Sequence, residues 1–276
     1  MAQTRDHADA PPTTSDLVRQ AVVLIGSLVA IAGAFWGSGA FGGQEQDQVG
    51  DGALAADATH VAPGSPAFSI WSVIYTGLLA YAIWQVLPAQ RADARQRRTG
   101  WLVLLSMVLN AAWITVVQLD LIELSVVVIV ALLLTLVLLL LRLEERRPAT
   151  AVEAVVLDGT AGLYLGWVSV ATVANTAAVL AAAGFTELGL GPEVWSVLVL
   201  AVAALVGVGL AIRTRGRLAI GAAMAWGLSW IAIARTIGAP ESTVVALAAL
   251  VAAIVVVGAT VVTRLRRPDP FALPGR

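Results

Sequence analysis

The chain of 276 residues contains no cysteine and no lysine. Without thiols it cannot form disulfides, a thiolate nucleophile, an iron–sulfur cluster or a thioether-linked haem. Without lysine it cannot form a Schiff base, since all 17 basic residues are arginine. His7 and His60 are the only histidines, and neither lies in a long apolar run, so a haem held by two histidines between helices is excluded. Charge is also scarce: 13% of residues are charged, against about 25% in a soluble domain. With 59% hydrophobic residues and a mean hydropathy of +0.86, a soluble single domain is ruled out. A net charge of −1 without a basic tail excludes phosphate-driven nucleic-acid binding. The partner that composition implies is the lipid bilayer.

Crossing the hydrocarbon layer takes about 20 mostly apolar residues in a helix. Segments 18–36, 68–87, 100–118, 122–142, 159–183, 194–212, 218–236 and 243–263 meet that requirement. The fold class is therefore an all-α integral membrane protein of about eight transmembrane helices. The fifth span is started after Asp158, which leaves that carboxylate near the interface. Orientation follows from the arginines, because cytoplasmic loops collect positive charge. Every arginine except Arg235 falls at or before the start of helix 1, or at the end of or after helices 2, 4, 6 and 8. A multi-pass protein of the cell membrane with both termini cytoplasmic is expected. The first segment is longer than the apolar core of a signal peptide and its flank mixes aspartates with arginines, which favours an uncleaved helix.

The first external loop, residues 37–67, is the longest connection and lacks basic residues. It carries Glu45, Asp47, Asp51, Asp57 and His60 among seven glycines. Loops longer than about 12–15 residues are usually functional or disordered, so this one is either an acidic solubilising segment or a lid over an outward-opening pocket.

Nine tryptophans are present. Trp36, Trp84, Trp101 and Trp195 fall at helix ends, where an interfacial belt accounts for them. Others form stripes at helical spacing. Trp71 and Tyr75 are four apart, Asn110 and Trp113 three apart, and Tyr164, Trp167, Ala171 and Asn175 make a continuous line. An unpartnered amide is costly in hydrocarbon, so Asn110 and Asn175 should face protein. They either join helices as hydrogen-bonding glue or line a cavity for a flat, largely apolar ligand, with aromatic faces to stack on it and a few polar groups to orient it.

The run Tyr164-Leu165-Gly166-Trp167-Val168-Ser169-Val170-Ala171-Thr172-Val173-Ala174-Asn175 resembles the fifth-helix signature of the tryptophan-rich sensory protein/translocator protein (TspO/MBR) family. Pro63-Gly64 followed by Trp71-Ser72-Val73-Ile74-Tyr75 resembles that family's entry into the second helix, and Leu109-Asn110-Ala111-Ala112-Trp113 its third-helix motif. Ser69, Leu163, Val170 and Ala174 depart from the pattern, two of them where the family usually has proline. The resemblance covers the first five helices. It implies a TspO-like five-helix bundle over residues 18–184, between a cytoplasmic tail at 1–17 and a three-helix extension at 185–265, with a second tail at 266–276. It further implies a pocket under the long loop, lined by Trp71, Tyr75, Asn110, Trp113, Tyr164, Trp167 and Asn175, that accepts a tetrapyrrole or a sterol-like molecule. The tetrapyrrole would be a ligand, since no cofactor or metal is expected.

Ion-coupled transport usually keeps ionisable residues deep in the membrane, and the spans hold almost none, although passive passage of an apolar ligand stays open. Catalysis is not expected, since paired carboxylates, nucleophile–base sets and metal clusters are not evident; oxidative porphyrin breakdown is implied only by the family. The small residues of the last three helices suit either an enlarged bundle or an interface, so a second copy of the chain is a candidate partner. Arg235 either snorkels or pairs with Glu241, or else meets a ligand carboxylate.

Overall fold

The computed structural model describes residues 11–37, 52, 54–185 and 187–266. Glu45, Asp47 and Asp51 of the long loop, the Trp36 side chain, and residues 1–10 and 267–276 of the two tails lie outside the described residues. Eight helices are long and apolar enough to cross a membrane, and no strand occurs among the described residues. They are α1 (Thr14–Gly37), α2 (Ile70–Trp84), α3 (Ala94–Gln118), α4 (Ile122–Glu144), α5 (Ala151–Ala182), α6 (Pro192–Arg213), α7 (Leu218–Ile237) and α8 (Thr243–Arg266).

Local chemistry sets the ends that hydropathy misplaces. The Asp93 side chain accepts a hydrogen bond from the Gln96 amide at 2.8 Å and caps α3 six residues ahead of its apolar run. Arg95, Arg97 and Arg98 are thereby helical, not loop residues. Thr150 caps α5 in the same manner through the Glu153 amide, at 3.1 Å. The fifth helix thus begins well before Asp158, contrary to the expectation from sequence, and residues Ala154–Gly159 are wound as a π-helix.

Asp158 is buried at that point and shared by two arginines. Arg95 donates to it at 2.6 Å and Arg217, just before α7, at 2.9 Å. Arg95 also donates to Glu153 at 2.8 Å and to the Leu143 carbonyl at 3.3 Å. Four helices are therefore tied together at the arginine-rich end of the bundle.

Neighbouring helices pack in the order α1, α3, α4, α5, α7, α8, α6, with α2 resting on α1 and α5. One continuous apolar core draws side chains from all eight. The α5 and α7 backbones approach closely where a Cβ on Gly166 would run into the Ile220 carbonyl and lie 2.9 Å from the Ala223 Cβ. Gly209, on α6, has nothing within 4 Å of such an atom. Gly166→Val should therefore cost about 1–3 kcal/mol through overpacking, while Gly209→Ala should be neutral or stabilise by up to about 1 kcal/mol. Thermal unfolding of the two purified variants in one detergent checks the contrast; equal shifts would show that α5 and α7 can move apart freely.

Candidate functional site

The stripes on α2 and α5 meet at the end opposite the arginines. Trp71 stacks on Tyr75, with ring centroids 5.2 Å apart and 19° between planes, because the two side chains stand one turn apart on the same face of α2. From α5, Tyr164 and Trp167 turn their edges to the Trp71 ring at 5.6 and 6.3 Å. Phe68, in the 3₁₀ turn Ser65–Ser69 that leads into α2, closes on Trp167 at 5.6 Å. Ser69, one of the departures from the family pattern, donates to the Pro66 carbonyl at 2.8 Å and so fastens the same turn. The result is a five-ring cluster in which Tyr164 and Trp167 are 1% exposed and Trp71 is half-buried.

The two asparagines take different parts. Asn110 donates to the Tyr75 hydroxyl at 2.8 Å, which links α3 to the stacked pair. Asn175 sits a layer nearer the helix ends, where its carbonyl oxygen accepts from the Trp113 indole at 3.3 Å and its amide nitrogen donates to the Ser125 hydroxyl at 2.9 Å. Asn175 is thus the interhelical glue of α3, α4 and α5. Two polar atoms of the group have no hydrogen-bond partner although they are buried: the Asn110 side-chain oxygen and the Trp167 indole nitrogen. An amide oxygen offers an acceptor and an indole N–H a donor, so the cluster can stack a flat molecule and orient it with one bond of each kind.

Above this cluster the described part of the long loop folds inward. Leu54, Ala55, Ala62 and Pro63 lie over Trp113, Trp167 and Asn175, leaving a cavity of only about 40 Å³ between them. That is room for no more than a few water molecules. Of the seven residues expected from sequence, Trp113, Trp167 and Asn175 line this small space, while Trp71, Tyr75, Asn110 and Tyr164 meet beside it without lining it.

The loop is held by α7, one of the three helices that follow the five-helix motif. The Gly64 amide donates to the Trp230 carbonyl at 3.3 Å, and the Trp226 indole donates to the Ala67 carbonyl at 2.9 Å. Arg235 donates to the Thr59 and Pro240 carbonyls, both at 3.1 Å, and to the Ala56 carbonyl at 2.5 Å. It is 1% exposed. Arg235 therefore neither snorkels nor depends on Glu241, because its two terminal nitrogens donate to main-chain carbonyls, two in the loop and one in the turn after α7, although Nε has no partner.

Sequence reasoning missed Phe68 and Ser125 as members of the site and Arg235 as its latch. Phe68 stands three residues before Trp71, a spacing that would have placed it on the same face. Among the described residues no three His, Asp or Glu side chains come together as a metal ion would need.

Searches of curated proteins and of solved structures find nothing that matches this chain. The family model described as TSPO-like protein matches residues 20–262, a span that reaches from α1 into α8 and includes α6 and α7. With the Trp71, Asn110 and Tyr164-to-Asn175 motifs brought to one end of an eight-helix bundle, and with a match over most of its length, the chain belongs to the TSPO-like (TspO/MBR) family.

Proposed function

We propose that the protein is a membrane receptor or sensor that takes a flat, largely apolar ligand, a tetrapyrrole or a sterol-like molecule, into the aromatic cluster of α2 and α5. The observation that carries this reading is the half-buried Trp71–Tyr75 stack, crossed by Tyr164 and Trp167 and flanked by the unpartnered Asn110 oxygen and Trp167 indole nitrogen. Unsatisfied buried polar atoms are costly, and a ligand that supplies one donor and one acceptor removes that cost. The cavity is far smaller than either ligand, so binding displaces Leu54–Pro63, which act as the lid. The reading is of binding without turnover. The arginine distribution supports cytoplasmic termini and a lid that faces outward.

Titration of the purified protein with protoporphyrin and, separately, with a sterol, followed by tryptophan fluorescence, tests it. Trp71→Ala and Trp167→Ala should each weaken binding, with stacking losses of roughly 0.5–1.5 kcal/mol beyond the area lost. Trp101→Ala, whose ring is 46% exposed on the outer face of α3, should leave affinity unchanged. Equal losses for all three, or no saturable binding of either ligand, would overturn the proposal.

A further inference from the structure

A second and larger space lies on another face of α5. The end of α5 and the start of α6 are joined by a short turn, yet the two helices barely touch, since α6 packs chiefly on α8. Between them is an open cleft of about 360 Å³, roofed by Ala58–Val61 of the long loop. That volume lies within the range of small-molecule sites, and it contrasts with the nearly filled space at the aromatic cluster.

The shape and lining narrow the occupant. The α5 wall runs from Thr172 to Ala181, which at helical rise is roughly 14 Å. A volume of this size drawn out along the helices is a slot, not a chamber for a macrocycle. Among the described residues its lining includes no Asp, Glu or Arg, and His60 is the one titratable side chain, so these walls offer no permanent charge to a ligand. Four hydroxyls line it: the Thr59 hydroxyl, on the roof, is buried without a partner, while the three on α5 and α6 have spent their protons on their own helices. Thr172 donates to the Val168 carbonyl at 2.7 Å, Thr176 to the Thr172 carbonyl at 2.8 Å and Ser196 to the Pro192 carbonyl at 2.7 Å. Their oxygens are left as acceptors. Beside them, Val173, Ala177 and Val199 give apolar wall, and Phe185 and Trp195 pair edge-to-face at 5.6 Å on the lid side. A ligand that meets the α5 and α6 hydroxyls must bring the proton, the Thr59 hydroxyl can donate to its oxygen in return, and the apolar wall suits a molecule that is uncharged, long and thin.

We infer that the α5–α6 cleft binds a neutral single-chain amphiphile, a long-chain alcohol or amide whose O–H or N–H donates to Thr172 or Thr176 while its chain lies against Val173, Ala177 and Val199. This site is separate from the aromatic cluster and does not depend on the function proposed for it. It also gives Trp195 a place in the wall of a ligand slot in addition to an interfacial belt.

The test uses the full chain in lipid nanodiscs and dodecan-1-ol carrying a mid-chain diazirine. Irradiation should label peptides from 172–181 and 192–199, and unlabelled dodecanol should compete in a saturable manner. Dodecane should compete about fivefold more weakly, the worth of one neutral hydrogen bond. Val199→Phe, which fills the slot, should abolish the labelling. Thr176→Val keeps shape and volume while removing the hydroxyl, and it should reduce dodecanol toward the affinity of dodecane even if the bulkier variant fails to fold. Trp71→Ala should leave the labelling intact. Labelling that resists competition, or that spreads equally over the outer face of α4, would show ordinary lipid contact and overturn the inference. Loss of labelling in Trp71→Ala would assign the amphiphile to the aromatic cluster instead.

Discussion

Arg95→Ala should lower the stability of the folded protein by about 3–5 kcal/mol, the usual cost of removing one partner from a buried ion pair. The arginine and Glu153 side chains are each only 4% exposed, and the Asp158 side chain is 11% exposed. Deleting the guanidinium leaves Glu153 without its charged partner and Asp158 with Arg217 alone. The uncompensated charge, more than any lost attraction, destabilises the fold. Adding Glu153→Gln to Arg95→Ala should therefore recover part of the loss. Arg98→Ala is the matched control. It removes an exposed pair with Glu145, of the kind that contributes little, and should leave the unfolding transition where it was. Thermal or denaturant unfolding in detergent distinguishes these cases, and similar transitions for Arg95→Ala and Arg98→Ala would show the network to be solvated.

Arg235→Met is expected to free the lid. The guanidinium makes charge-assisted bonds to three carbonyls, and hydrogen bonds of this kind contribute about 1.5–3 kcal/mol each when made singly. Even a loss of about 1.4 kcal/mol raises the open population tenfold. Because the chain has no cysteine of its own, Ala58→Cys gives a single reporter on the lid. Its reaction with a thiol reagent should be at least about tenfold faster in the Arg235→Met background. Lys in place of Arg should restore little, since an ammonium lacks the planar fork that reaches several carbonyls at once. An unchanged labelling rate would mean that the Gly64–Trp230 and Ala67–Trp226 bonds hold the loop without help from Arg235.

The helices were legible in the sequence because a bilayer imposes one length and one composition on every span. The stripes were legible too, since Trp71 with Tyr75 and Tyr164 with Trp167 stand at spacings that put them on shared faces. What escaped was decided by partners distant in sequence or silent within it. Asp158 reads as a boundary because a carboxylate alone does not belong in hydrocarbon; its main partner, Arg95, is 63 positions away. Arg235 reads as a snorkelling residue because its acceptors are main-chain oxygens, which every residue carries. Trp195 reads as part of a belt because the slot beside it depends on how far α6 stands from α5. That separation comes from packing against α8, and no local pattern records it.

The closed lid has a thermodynamic consequence for anything that binds beneath it. A ligand meets only the fraction of molecules whose lid is open, and its apparent dissociation constant is the intrinsic one divided by that fraction. A latch worth about 2.7 kcal/mol would leave the open form near one in a hundred and weaken apparent affinity by the same factor. Substitutions at Arg235 should accordingly move two properties in opposite directions, with a less stable protein that holds its ligand more tightly. Reciprocity extends the relation: whatever steadies α7 against the loop must oppose ligand entry, and a bound ligand must loosen the hold of α7 by the same free energy. On the proposed reading, the helices beyond the five-helix motif would thus set the threshold for entry beneath the loop.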